Sequence, residues 1–268
     1  HAGRNSQNRW WLEFEVRESK VKAMKTKYFY SWSKNMVVYG LDAGLGKLFI
    51  NESETACLYQ LGNFIFPAGQ ADSDFWQEYS TKYSLADKVI ISEELSWQEF
   101  LDSQSVLHRF TRYAFADRVD FDTEALEKWQ SRIPANCQLF LINETRYERL
   151  AEEVWSQDLQ GDFADFKQFQ AAGGFGFILC SGEEIIAAVS TGLVYQGALE
   201  IEIATKPAYQ GQDLAKILGA QMILEAQKRS LFPLWDAHNR ASKKVAESLG
   251  YQCLGAYPAY EWKGSFDQ

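Results

Sequence analysis

Glu200-Ile201-Glu202-Ile203-Ala204-Thr205-Lys206-Pro207-Ala208-Tyr209-Gln210-Gly211-Gln212-Asp213-Leu214-Ala215 decides how this chain reads. Its first residues alternate in polarity, as a strand with one buried face does. Leu199, Ile201 and Ile203 share one face, and Glu200 and Glu202 share the other. Pro207 and Gly211 mark a turn. Leu214, Ile217, Leu218, Met222 and Ala226 then recur at helical spacing, which predicts a long helix from about Gly211 to Arg229. A strand passing through a short loop into a helix leaves the first amides of the helix without intrahelical partners, at the positive end of its dipole. Such a corner suits a pyrophosphate when small residues let the phosphate approach.

Working outward, Phe175 to Cys180, Ile185 to Tyr195 and Leu199 to Thr205 read as consecutive strands turned at Gly182 and Gly197. Before them come a strand from Gln138 to Ile142 and a helix capped by Asn143 that runs to about Trp155. A second helix carries Phe163, Phe166 and Phe169 on one side. After the long helix, Leu234 to Ala237 is a short strand, and Asn239 opens a helix ended by Gly250. Tyr251 to Leu254 and Tyr257 to Trp262 read as two final strands. Hairpins followed by one β-α-β crossover predict an α/β (α+β) fold with a mixed, mostly antiparallel sheet flanked by helices.

The first part reads as a smaller α/β domain over residues 24–130, followed by a second domain over 131–268. Met36 to Tyr39, Lys47 to Ile50 and Cys57 to Phe66 are read as strands, Asp72 to Tyr83 as a helix and Lys88 to Ser92 as a strand. A helix follows Ser96, Leu107 to Phe115 fits either state, and Asp122-Thr123 cap a helix through Trp129. Residues 1–23 are set aside as a non-native leader, because Met24 is followed by an ordinary-looking start.

Of the 268 residues, 46% are hydrophobic and 15% aromatic, enough for packed cores and against general disorder. The net charge of −9, with no run of Lys and Arg, argues against nucleic acid and is compatible with a cationic partner such as an amine. Cys57, Cys137, Cys180 and Cys253 form no C-x-x-C pair and read as small hydrophobes, and no metal is expected. No apolar run nears the ~20 residues that span a bilayer, and no signal peptide is visible, so a cytoplasmic protein without a membrane partner is expected. The sequence assigns no oligomeric state.

Pro207, Tyr209, Gln210, Gly211, Leu214 and Ala215 match V-x-P-x-Y-R-G-x-G-x-A/G, whose core is Q/R-x-x-G-x-G/A. Asn239, Ser242, Gly250 and Tyr251 match the later N-x-x-A/S-x-x-x-Y-x-x-x-G-F/Y. On these residues the span from Cys137 to Trp262 resembles an acetyl-CoA-dependent N-acyltransferase of the GNAT superfamily. Trp235-Asp236-Ala237-His238-Asn239, Arg112-Tyr113-Ala114-Phe115 and Gly174 to Phe177 also resemble the W-D-A-x-N, R-Y-A-F and G-x-G-F elements of a bacterial GNAT subfamily with an N-terminal extension.

The resemblance implies transfer of an acetyl group from acetyl-CoA to an amine, either a small molecule or a peptide amino group. The backbone of Ile203 and Thr205 would pair with the pantetheine arm. Gln210, Gly211, Gln212, Asp213, Leu214 and Ala215 would hold the pyrophosphate, and Asn239 and Ser242 would touch the cofactor near its thiol. An alkylammonium must lose a proton before it attacks, so a carboxylate base is needed. The candidates are Asp236, Glu202 and Glu200, with Asp236 slightly ahead of Glu202, and His238 adjoins them.

Two residues depart from the family pattern. Asp213 stands where relatives have glycine, and Gln210 and Gln212 replace frequent cations. Ala246 stands where many relatives carry the tyrosine that protonates the thiolate, leaving Tyr251, Tyr257 or water. These departures also fit a GNAT-like domain that binds or regulates without turnover.

Overall fold

A computed structural model describes residues 11–15 and 18–266. Two compact units emerge, one of residues 1–111 with 257–268 and one of residues 112–256.

In the first unit the elements are β1 (Trp11–Glu15), α1 (Glu18–Tyr28), α2 (Asn35–Asp42), β2 (Lys47–Asn51), β3 (Ala56–Leu61), β4 (Phe64–Gly69), α3 (Ser73–Lys82), β5 (Val89–Ile90) and α4 (Leu95–Asp102). The chain leaves this unit within β6 (Leu107–Phe115). β1 to β4 form an antiparallel meander, and β5 joins β4 in parallel. β1 comes from the segment set aside as a leader; residues 1–10 and 16–17 of that segment lie outside the described residues. Trp97, Tyr79, Phe49 and Tyr260 are among the side chains filling the core.

Met36 to Tyr39 is helical, not a strand. Met36, Val37, Gly40 and Leu41 are buried at helical spacing, and the turn at Gly40 packs against the side chains of Tyr59 and Leu61. Leu107 to Phe115, which fitted either state, is strand β6.

The second unit contains α5 (Thr123–Gln130), β7 (Cys137–Leu141), α6 (Glu144–Arg149), α7 (Phe166–Ala171), β8 (Gly176–Ser181), β9 (Glu184–Tyr195), β10 (Ala198–Thr205), α8 (Leu214–Lys228), β11 (Phe232–Leu234), β12 (Asp236–Ala237) and α9 (Arg240–Ser248). β13 (Cys253–Trp262) begins here and ends in the first unit. Five strands are ordered β11-β10-β9-β8-β7, antiparallel except for the β10–β11 pair. β12 pairs with β6 instead. The fold is mixed, with mostly antiparallel sheets flanked by helices, as the sequence implied.

Several boundaries move for local reasons. α6 ends at Arg149 rather than near Trp155, because the Ser156 hydroxyl donates to the carbonyls of Leu150 and Glu153 and holds the chain in turns. Asp165 caps α7 by accepting from the Gln168 amide, so Phe163 precedes the helix and meets Phe169 edge-on at 5.3 Å. α8 starts at Leu214, since Asp213 has φ +59°, outside helical space. The two expected final strands are one, because Gly255 at φ +145° lets the chain continue as β13.

Candidate active site

Ile201 and Ile203 pack with Leu199, Leu214, Ile217 and Leu218 on the α8 side of the sheet. Glu200 and Glu202 therefore point to the opposite face, where Ala204 and Ala188 pack with Leu159, Tyr147 and Phe169. Register slips between Glu200 and Ile201, so Gly192 of β9 is an extra residue in the ladder. A Cβ on Gly192 would stand 3.0 Å from Glu202 Cγ and 3.1 Å from its Oε1, so the bulge glycine makes room for this carboxylate. The Gly192 carbonyl also accepts from the Asp162 amide at 2.9 Å, which ties down the 3-10 turn Gln157–Gln160 bearing Asp158.

β10 and β11 pair only as far as Glu200 and Leu234. Beyond that point no strand among the described residues covers β10 on this side. The Lys206 amide donates to the Ile186 carbonyl, which makes residues 206 and 186 a hydrogen-bonded pair with β9. Such pairs alternate in an antiparallel ladder, so Ile203 and Thr205 turn their amides and carbonyls toward the uncovered side. The Gln210 side chain donates to the Thr205 carbonyl at 3.2 Å, and the Thr205 hydroxyl is buried without a partner among the described residues.

At the loop, a Cβ on Gly211 would meet no atom within 4 Å, and the residue has φ +78°. Gly211, Gln212 and Asp213 are exposed, whereas Leu214 is anchored in the core. Asp213 adopts the left-handed conformation that glycine takes most easily, and its carboxylate meets Lys216 Nζ at 2.7 Å. Lys206 is held by Glu153 and Glu184 at 2.9 and 2.8 Å. Both loop cations are thus paired with carboxylates.

The R-Y-A-F and W-D-A-x-N elements meet where β6 and β12 pair, Ala114 opposite Asp236 and Tyr113 opposite Ala237. Arg112 Nε donates to Asp236 Oδ1 at 2.8 Å, and another of its nitrogens lies 3.1 Å from His238 Nδ1. Asn239 caps α9 by accepting from the Ser242 amide, and Ser242 Oγ accepts from Trp235 Nε1 at 3.1 Å. Ala246 is fully buried among Ile223, Trp235, Leu249 and Tyr251. The Tyr251 hydroxyl donates to the Pro233 carbonyl inside that core, and Tyr257 belongs to the first unit.

The acids differ electrically. Burial pushes Glu200 up to about 8, with Asp236 and Glu202 adding to the shift, and its Oε1 accepts from the Tyr195 hydroxyl at 3.3 Å. Burial also pushes Glu202 up to about 7, assisted by Asp158 and opposed by Arg112, yet the residue stays partly accessible. Asp236 is engaged by Arg112. His238 is held below the usual imidazole value by burial and then by Arg112. The arrangement holds one partly accessible carboxylate near neutrality beside two others and one arginine. Sequence reading missed Arg112 and Gly192 beside these carboxylates; for the latter, a glycine inside an apolar strand was the available signal.

A raised carboxylate carries a stability signature. Folded Glu200 keeps its proton from about pH 4.5 to about 8, where the unfolded chain has lost it, so stability falls as pH rises through that window and levels off above it. Glu200→Gln removes this dependence. Its melting temperature should match that of the parent near pH ~4 and exceed it by about 6 °C near pH ~8.5, corresponding to roughly 2–3 kcal/mol. Thermal scans across pH check this, and a constant difference would contradict it.

No metal-ligand cluster occurs among the described residues, and none of their helices is long and apolar enough to cross a membrane.

A family profile described as GNAT acetyltransferase matches residues 26–260. An uncharacterised N-acetyltransferase of Bacillus subtilis, YdfB, is 23% identical over 121 residues, 42% of this chain and 46% of that protein, so the match spans under half the relative's length. The crystal structure of a GCN5-related N-acetyltransferase-like protein from Streptococcus suis superposes with a TM-score of 0.84 at 30% identity, covering 91% of this chain and 99% of that one. A tandem GNAT protein from the clavulanic acid biosynthesis pathway shares the fold at 10% identity and a TM-score of 0.52, covering 93% and 97%. With its residues 26–260 matched by that profile, this chain belongs to the GNAT acetyltransferase family.

Proposed function

We propose that the protein transfers an acetyl group from acetyl-CoA to an amine, on a small molecule or a peptide, with Glu202 as the general base. The observation that carries this reading is Glu202 itself: a partly accessible carboxylate raised to about 7, set beside the uncovered edge of β10. A base tuned near the working pH accepts a proton most usefully there. Asp236, slightly favoured from sequence, is committed to Arg112 and fits a supporting role better.

The residues present fit the coenzyme. The edge at Ile203 and Thr205 offers the backbone pairing an extended arm needs, and the Thr205 hydroxyl is buried without a described partner. Gly211 leaves open space before the N-terminus of α8, where the first amides of the helix would face a diphosphate. Acetyl-CoA supplies an acyl group already activated on a thiol leaving group. The chain's residues orient it, and Glu202 takes the proton from the acceptor nitrogen. Asn239 and Ser242 lie at the start of α9, in reach of the thiol end by resemblance. Ala246 and Tyr251 are core residues, which argues against either position as the proton source for the departing thiolate. The two linked elements around Arg112 and Asp236 support a place in the GNAT subfamily that carries W-D-A-x-N. A cytoplasmic setting goes with this reading.

The reading is tested by calorimetric titration with acetyl-CoA and by thiol release over a panel of amines. Micromolar binding with amine-dependent release supports it. Binding without release for any amine favours the non-catalytic alternative, whose support is Asp213 and Ala246. Asp213→Gly removes a carboxylate from the loop, frees Lys216 and relieves a left-handed residue. Acetyl-CoA should then bind about tenfold tighter, ~1.4 kcal/mol. Unchanged or weaker binding in the same titration would place Asp213 away from the phosphates.

A further inference from the structure

Ser190 of β9 stands directly opposite Glu202 of β10 in the register, so both side chains emerge on one face of the sheet. Ser190 is wholly buried, with 0% of its surface exposed. Its hydroxyl has no hydrogen-bond partner among the described residues, although its neighbour Thr191 uses its own hydroxyl on the Phe175 carbonyl. A buried hydroxyl left unpaired costs about 1–3 kcal/mol, so a polar partner is needed at that spot. Its neighbours on this face are small or apolar: Gly176 of β8 stands opposite it, Ala188 lies two residues back on β9 and packs with Ile178, and Ala204 follows Glu202 on β10. The Glu202 carboxylate lies in the space left by Gly192, two residues along β9 from Ser190.

Building on Glu202 as the base, we propose that Ser190 is its positioning residue: the buried hydroxyl holds a water against the carboxylate, and that water relays the acceptor's proton. As the acceptor nitrogen forms its bond to the acetyl carbon and the carbon–sulfur bond breaks to release the coenzyme as a thiolate, the N–H proton of the nitrogen passes to the water and one proton of the water passes to Glu202. The carboxylate ends protonated and the water is regenerated. Gly192 fixes where the carboxylate lies, and Ser190 fixes where the water lies. The charged groups acting on Glu202 are Asp158 of the 3-10 turn and Asp236, which disfavour its ionised form, and Arg112, which favours it; Glu200 shares its strand face.

The test is the titration of Glu202, followed by carbon-13 NMR of labelled glutamate in the parent and in Ser190→Ala, with turnover measured in parallel. Glu202→Gln identifies the resonance. Losing a donor to the ionised carboxylate should raise the Glu202 midpoint by about half a unit or more and move the acidic limb of the rate profile with it. kcat should fall about tenfold while KM for acetyl-CoA stays the same. The melting temperature should hold or rise, because an unsatisfied hydroxyl has gone. Ser190→Gly, which cannot overpack the site, should behave like the alanine variant. An unchanged midpoint and rate profile in both variants overturns the proposal, as does a lowered melting temperature with kinetics intact, which would make Ser190 structural. A shifted midpoint in a protein that acetylates no amine keeps the positioning role and removes only the acetyltransferase reading.

Discussion

Glu202→Gln should lower kcat by a factor of about 100 to 10,000 and leave acetyl-CoA affinity within about twofold. The amide keeps the shape of the carboxylate but accepts no proton, so the loss falls on the chemical step. In the parent, kcat/KM should rise with pH through an apparent midpoint near 7, because the base works only when ionised and burial holds its proton to that range. Glu200 and Asp236 interact with it, so the midpoint belongs to the cluster as a whole. The limb near 7 should vanish in the glutamine variant. Steady-state rates between pH ~5.5 and ~9 check both points. A variant that keeps more than a third of the parent kcat and the same limb would exclude Glu202 as the base.

Gly211→Val should abolish measurable coenzyme binding, with Kd rising at least ~100-fold, or ~2.7 kcal/mol. Two costs add. A β-branched residue at φ +78° is strained by about 1–2 kcal/mol, and its methyl groups enter the space now open before α8. Titration with coenzyme A reads the loss. Gly211→Ala should fall between parent and valine, since it carries the strain with less bulk. Near-parent affinity in the valine variant would mean that the phosphates bind elsewhere.

These effects sit on a corner that was legible in the sequence. The alternation of Leu199 to Thr205 gave the two strand faces, and the apolar stripe from Leu214 to Ala226 gave the helix. The family elements implied a coenzyme at this corner. What stayed hidden was set by tertiary pairing. As sequence, Asp236 stood slightly ahead of Glu202; the order changes only because β12 pairs with β6 and brings Arg112 onto Asp236 across 124 positions. The bulge at Gly192 shows no sequence mark beyond a glycine in a strand, and it decides where the Glu202 carboxylate lies. Met36 to Tyr39 misread for the same reason: four β-prone residues carry no period, and the burial of Gly40 and Leu41 made the turn helical. Ala246 and Tyr251 were weighed as proton-transfer positions, and packing places both in a core.

Hydrogen–deuterium exchange of the backbone amides with and without coenzyme A tests the central claim most directly. Protection should rise at Ile203, Thr205 and Gly211 to Ala215 as the ligand is added, and should rise least on α5 and the far end of α8. Unchanged exchange at those amides under saturating ligand, or protection concentrated on another surface, would contradict the placement of the coenzyme and the catalytic account built upon it.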